Sequence, residues 1–240
     1  MTAFTIEVAG VKIHIESIYE QTRDYCEDYL CQGPADISVK ITQADIDMER
    51  RYDARERNLE GKPSVHFSDA YMETLAVYRK IVNQLITHDI LLFHGSVVSM
   101  DGVAYLFTAK SGTGKSTHTR LWRQEFGEKA VMVNDDKPLL KISRDAVLVC
   151  GTPWDGKHRL NTNCMVALKA ICILERGERN EIFPVSAKEA LPMLLQQSHR
   201  PGDIGKYMEL LDTMTGAVNF YRLHCNMDPE AAHVAYNAMK

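Results

Sequence analysis

No stretch of this chain approaches the roughly 20 unbroken apolar residues that a helix needs to cross a bilayer. Residues 1–7 lack the basic and then apolar order of a secretion signal, so the expectation is a cytoplasmic protein with no membrane partner. Runs of basic residues are missing too, and a formal net charge of -4 gives nucleic acid no electrostatic footprint. Nucleic acid is not an expected partner. The six cysteines, Cys26, Cys31, Cys150, Cys164, Cys172 and Cys225, form no C-x-x-C pair and have no histidine nearby at zinc-finger spacing. They read as buried, reduced thiols rather than as a structural metal centre. Repeats and low-complexity tracts are absent.

What is present suffices for a full core: 240 residues, 45% of them hydrophobic, fit one domain plus a small appended lobe. Residues 4–8 and 11–15 alternate apolar and polar around Ala9-Gly10, the pattern of a half-buried hairpin. Ile37, Val39 and Ile41 continue it as a third strand. Residues 43–62 are polar and charged with little periodicity, so they read as a mobile connection or a poorly packed helix, and they mark a soft boundary. Ser68 then caps a helix in which Tyr71, Leu75, Tyr78, Val82, Leu85 and Ile86 recur along one face. That helix is expected to lead into the core. The expected domains are an N-terminal α+β lobe at 1–67 and a core at 68–240.

From Ile90 the pattern changes to short apolar runs at 90–93, 97–100 and 103–107, the last two separated by the turn signal Asp101-Gly102. An antiparallel partner immediately before the third of these runs predicts a mixed sheet. Further strands are expected at 130–133, 139–142, 146–149, 166–174 and 220–223. Helices should follow Ser116, Ser186 and Asp228; the second carries a Ser186/Glu189 capping box, and the third places Pro229 at its first position.

The strand at 103–107 runs into Thr108-Ala109-Lys110-Ser111-Gly112-Thr113-Gly114-Lys115-Ser116-Thr117, a strand–loop–helix passage of small residues that a Walker A phosphate loop requires. Gly112 and Gly114 let backbone N–H groups converge on phosphate oxygens, and the helix N-terminus adds its positive dipole end. Lys115 supplies a charge for the β- and γ-phosphates of ATP, and the Ser116 hydroxyl is a hard donor for Mg²⁺. Thr117 completes the nucleotide-binding segment. The usual first glycine is replaced by Ala109, which serves if its φ stays negative. Downstream, the strand at 130–133 ends in Asn134-Asp135-Asp136. Two carboxylates at a strand end near a phosphate loop suit a Mg²⁺ ligand and a base or orienter for an attacking hydroxyl.

His94-Gly95, Val97-Val98, Gly102-Val103, the loop 111–116 and Val133-Asn134-Asp135-Asp136 together resemble the HPr kinase/phosphorylase catalytic domain. The loop is also similar to that of the ATP-dependent phosphoenolpyruvate carboxykinases. The resemblance covers roughly residues 91–150, more loosely Tyr221-Arg222-Leu223 with Asp228-Pro229, and not the first 85 or so residues. It implies an α/β fold: a mixed-sheet P-loop kinase core of this type with a small N-terminal α+β lobe. It also implies a homo-oligomer, and an active site in which His94 lies near the reacting phosphate, Lys115 and Ser116 hold phosphate and metal, and one aspartate of the pair accepts the substrate's proton. The resemblance favours Asp136 as base and Asp135 as metal partner.

The acidic metal-ligand segment that protein kinases of that family carry further on is missing, and residues 151–159 stand in its place. Loops off strand ends in such sheets bind ligands, and Lys157 and Arg159 are the cations there that suit a carboxylated acceptor. The expected activity is transfer of the γ-phosphate of ATP, with Mg²⁺, to a hydroxyl acceptor, a small molecule such as a hydroxyl amino acid. An ATP-gated module that binds a peptide or partner without turnover, and a carboxykinase-like lyase, are the alternatives.

Overall fold

Ala9 and Gly10 both adopt positive φ, 55° and 72°, the pair that a two-residue type I′ hairpin turn demands. The turn folds β1 (Thr2–Val8) back on β2 (Val11–Ser17) in the register Val8 opposite Val11 and Ile6 opposite Ile13. Phe4, Ile6, Val8, Ile13 and Ile15 therefore share one buried face. The computed structural model describes residues 1–59 and 61–240. A short helix α1 (Gln21–Tyr25) follows, and β3 (Ile37–Lys40) pairs parallel with β2 to complete a three-stranded sheet.

Of the two forms expected for residues 43–62, a mobile connection or a poorly packed helix, residues 43–59 take the helical one. They form α2 (Gln43–Leu59), followed by α3 (Asp69–Leu85); Glu60, within the segment expected to be poorly structured, lies outside the described residues. Among the residues of α2, Ile46 and Glu49 are the buried ones, so its hydrophobic signal is almost nil. Charge supplies the order instead. Arg79 of α3 grips the Glu49 carboxylate through two hydrogen bonds of 2.6 and 2.8 Å, Lys80 meets Asp45 at 2.8 Å, and Arg50 pairs with Asp69. The bidentate pair is the strong one, because one carboxylate oxygen faces each guanidinium donor.

Ser68 caps α3 as expected, its hydroxyl accepting from the Tyr71 N–H at 3.3 Å. The helix belongs with the first sheet, however. Glu73, fully buried, accepts hydrogen bonds from the N–H groups of Ile18 (2.6 Å) and Tyr19 (3.0 Å) and from the Thr22 hydroxyl (2.5 Å). The chain divides into compact units Met1–Gln84 and Leu85–Lys240. The division thus falls after Gln84 and not at 67/68, because a buried carboxylate needs those donors and only the N-terminal unit provides them.

The second unit contains β4 (Ile90–Leu92), β5 (Ser96–Met100), β6 (Val103–Thr108), α4 (Lys115–Phe126), β7 (Val131–Asn134), β8 (Leu139–Ile142), β9 (Val147–Cys150), β10 (Met165–Arg176), β11 (Glu181–Val185), α5 (Ala187–Gln197), α6 (Ile204–Ala217), β12 (Asn219–Cys225) and α7 (Glu230–Met239). The strands form a nine-stranded mixed sheet in the order β4-β8-β9-β10-β6-β5-β7, and the far part of β10 also pairs with β12, which pairs with β11. β10 lies parallel to β6 and β12 and antiparallel to β9. The hairpin β5–β6 turns at Asp101 and Gly102, again both at positive φ.

Alternation along β6 divides the core between two faces. Leu106 packs with Val97, Val133, Ile171 and the inner faces of α5 and α6 (Leu194, Tyr207, Leu210, Met214). Tyr105 and Phe107 point the other way, to Trp122 of α4 and to Ala231, Ala232 and Ala235 of α7. The Ser186/Glu189 capping box is present at α5. Pro229 stands one position before the first residue of α7, a one-residue offset typical of helix ends.

Candidate functional site

β5 runs antiparallel to both β6 and β7. Its first residue therefore lies beside the last residues of those two strands, with Ser96 opposite Phe107 and Val97 opposite Asn134. Three loops meet at this end of the sheet: His94-Gly95 before β5, residues 109–114 after β6, and Asp135-Asp136 after β7. Strand register, rather than proximity in sequence, assembles them.

The loop after β6 has the geometry its glycines predict. Gly112 and Gly114 take φ of 77° and 128°, values L side chains rarely adopt. Ala109, buried in the first-glycine position, is not among the positive-φ residues, so its methyl is accommodated. The Thr113 N–H donates to the Lys110 carbonyl at 3.2 Å, and the Lys115 ammonium folds back onto the Ala109 carbonyl at 3.3 Å. Ser111 lies in the loop, and Ser116 and Thr117 in the first turn of α4. An arginine from the far end of β10 braces the loop: the Arg176 guanidinium donates to the Gly112 carbonyl at 2.7 Å.

The two aspartates face different partners. Asp135 is buried, accepts from the Ser96 hydroxyl at 2.5 Å, and is also hydrogen-bonded by the Ser116 hydroxyl. Ser96 is joined in turn to Thr119 of α4 at 2.8 Å. Burial pushes the Asp135 carboxyl above its ordinary value, against the pull of those two hydroxyls and of His158. Asp136 meets His94, whose Nε2 lies 3.3 Å from its Oδ1. Burial works to raise this carboxyl as well. The hydrogen bond from His94 and the charges of Lys137, His94 and Lys115 outweigh it, and the group sits below the ordinary carboxylate value.

Asn134 governs the neighbourhood. Its side-chain oxygen accepts from the N–H groups of Asp136 (2.9 Å) and Lys137 (2.7 Å), which fixes the turn that separates the two carboxylates. Its side-chain nitrogen donates to the carbonyl and hydroxyl of Thr152, each at 3.0 Å. The loop after β9 is thus bound to β7. Thr162 secures the loop's other end, its N–H donating to Val133 at 3.1 Å and its hydroxyl to Met132 at 2.8 Å. Gly151 has to be glycine, since a Cβ there would come within 1.9 Å of the Thr162 carbonyl oxygen.

The two cations expected to clamp an acceptor are placed otherwise. Arg159, at φ 50°, donates to the Pro153 carbonyl at 2.7 Å and to the fully buried Asp155 at 3.2 Å. It holds the loop together. Burial raises the Asp155 carboxyl, and Asn161 and Arg159 oppose the shift. Lys157 is exposed at the loop tip and does not line the adjacent cleft. That cleft, of about 380 Å³, opens beside Ser116 and Asp135, and its walls are Arg120 and Arg123 of α4 with His158 and Leu160 of the loop.

The structure therefore brings together Ser111, Gly112, Thr113, Gly114, Lys115, Ser116, Thr117, His94, Asp135 and Asp136 at one end of the sheet, and it leaves Lys157 and Arg159 out of the cleft. Sequence reasoning misses Ser96, Asn134 and Arg176. Ser96 and Asn134 adjoin recognised residues and were within reach; Arg176 lies 64 positions from its partner Gly112 and carries no local signal.

The fold and the site define a mixed α/β protein built around a strand–glycine loop–helix passage. A family model described as SynChlorMet cassette protein ScmC matches residues 64–227, more than half of the chain, and the protein belongs to that family. Among solved structures it is similar to the Hpr(Ser) kinase/phosphatase from Coxiella burnetii, with 12% identity, 61% of this chain and 95% of that chain covered, and a TM-score of 0.36. No curated protein matches the sequence.

Proposed function

We propose that this protein is an ATP-dependent kinase with an HPr kinase-like P-loop core, transferring the γ-phosphate to a hydroxyl on a small molecule. The observation that carries the reading is the separation of the two carboxylates, Asp135 toward the Ser116 hydroxyl of the glycine loop and Asp136 toward His94. One acidic residue adjoins the loop's hard oxygen donor, and its neighbour stays ionised and is oriented by a histidine.

Backbone N–H groups of residues 111–116 and the Lys115 ammonium would hold the nucleotide phosphates, the glycine φ values allowing the amides to converge. The donor set formed by the Ser116 hydroxyl and the Asp135 carboxylate fits Mg²⁺, a hard ion that takes few protein ligands and keeps most of its waters. When bound, that ion neutralises charge on the phosphate oxygens. Asp136 takes the acceptor's hydroxyl proton while its oxygen bonds to the γ-phosphorus and the bond to the β-phosphate oxygen breaks, giving ADP and a phosphate ester. His94, donating to Asp136, fixes the carboxylate's orientation.

Calorimetry with Mg-ATP, followed by a screen of hydroxyl amino acids and sugars for acceptor-dependent ADP release, tests the reading. Micromolar to submillimolar ATP binding with stimulated turnover is expected. Binding with no turnover for any acceptor would favour an ATP-gated module instead.

A further inference from the structure

Arg120 and Arg123 lie three residues apart on α4 and so project from the same face. Both line the cleft beside Ser116 and Asp135. Neither guanidinium makes an ion pair or hydrogen bond among the described residues, whereas Arg57, Arg79, Arg159 and Arg176 are all engaged. Two like charges on one helix face repel each other, and an anion between them relieves the cost. His158 adds a third polar group from the opposite wall. The single carboxylate in the cleft, Asp135, is already held by Ser96 and Ser116 and cannot neutralise the pair.

We infer that this cleft is a subsite for the anionic group, a carboxylate or phosphate, of the hydroxyl acceptor, with Arg120 and Arg123 reading the anion and the acceptor reaching past the Ser116–Asp135 end to the neighbouring base Asp136. The inference rests on the kinase reading and adds the substrate class to it. A volume of about 380 Å³ suits a small metabolite or a single side chain rather than a folded protein surface. The selective cations thus come from the helix that begins in the phosphate loop, so acceptor and nucleotide are held by one rigid element.

The test titrates protein saturated with Mg²⁺ and a non-hydrolysable ATP analogue, by calorimetry, with D-glycerate, glycerol, sn-glycerol 3-phosphate, L-serine and serinol. At least one compound carrying a carboxylate or phosphate should bind about tenfold or more tighter than its counterpart without that group, and whether a carboxylate or a phosphate does so identifies the anion. R120Q and R123Q should each weaken that binding by about tenfold or more while the affinity for the analogue stays within about twofold. If the compounds with a carboxylate or phosphate bind no better than those without one, or the variants bind them as the unaltered protein does, the inference is wrong. Loss of analogue affinity in the variants would assign the cleft to the nucleotide, which sinks the inference and leaves the kinase reading intact. Failure of the unaltered protein to bind the analogue, seen before any acceptor is added, overturns the kinase reading and this inference with it.

Discussion

His94 and Asp136 face each other with Nε2 and Oδ1 3.3 Å apart, although one precedes β5 and the other follows β7. Burial alone would raise the Asp136 carboxyl; the hydrogen bond from His94 is the foremost of the contributions that keep it low. The sign follows directly. A base with a depressed pKa loses activity only as pH falls through that low value. In His94→Ala burial remains and the main opposing contribution is gone, so the acid limb of the kcat/KM profile should move to higher pH. A profile whose acid limb stays in place would exclude this pairing as the control on Asp136.

Asp135→Asn and Asp136→Asn should fail in different ways. Asp135→Asn removes a ligand from the Ser116–Asp135 pair, so Mg-ATP affinity and turnover should fall together. Asp136→Asn should spare ATP affinity and cut turnover about a hundredfold or more, the usual worth of positioned proton transfer. Nucleotide calorimetry beside steady-state kinetics separates the two; full turnover in both variants would remove this pair from the chemistry.

Lys115→Ala should weaken Mg-ATP binding by about a hundredfold or more, since a charge on two phosphates is worth a few kcal/mol. The thermal midpoint should change little, because Lys115 stands at the start of α4 outside the hydrophobic core, with the Ala109 carbonyl at 3.3 Å among its contacts. Unchanged calorimetric affinity in a folded variant would overturn the phosphate-loop assignment.

Burial lowers the pKa of His118 to about 3. Its Nε2 accepts from the Trp122 indole at 3.1 Å, which leaves the proton on a buried Nδ1 that has no hydrogen-bond partner among the described residues. The unfolded state therefore binds the proton first as pH falls from about 6.5, and stability is lost progressively down to about pH 3, by about 2 kcal/mol at pH 5. Urea unfolding of His118→Gln at about pH 7.5 and 5 should show a shallower loss than the unaltered chain. An identical slope would mean that His118 does not set the acid sensitivity.

A fragment spanning 85–240 should fold, and one spanning 68–240 should fare worse. The longer fragment carries α3 without Ile18, Tyr19 and Thr22, so the Glu73 carboxylate loses three donors. Circular dichroism and cooperative urea unfolding of both fragments would decide it; equal stability would put the division back near residue 68.

Elements whose burial follows their own period were readable from the sequence: the two hairpins at Ala9-Gly10 and Asp101-Gly102, the glycine loop, and the acidic pair. α2 was legible only as one of two alternatives, because Ile46 and Glu49 are its buried residues and its order comes from Arg79, Lys80 and Asp69 on another helix. α6 presents Tyr207, Leu210, Leu211 and Met214 at helical spacing behind an Asp203 cap, a pattern as plain as that of α3 yet absent from the expected elements. β11 is largely exposed, so it leaves little alternation to read. In the site, residue types located the loop and the carboxylates. Charge alone misassigned Arg159, since a cation pinned to a buried carboxylate within its own loop looks in sequence like one offered to a ligand.

Asn134 binds the acidic turn with one end of its amide and the loop after β9 with the other. Because that loop is anchored at Thr152 and again at Thr162, the exposed tip at residues 156–158 hangs between two fixed posts. Substitutions at Lys157 or His158 can reshape the mouth of the cleft, whereas Gly156 is held by its φ of 77° and by Asp136, whose Cβ would lie 3.1 Å from a side chain's first carbon. On the kinase reading, acceptor preference could thus be altered at these two exposed positions while the glycine beside the acidic turn stays as it is.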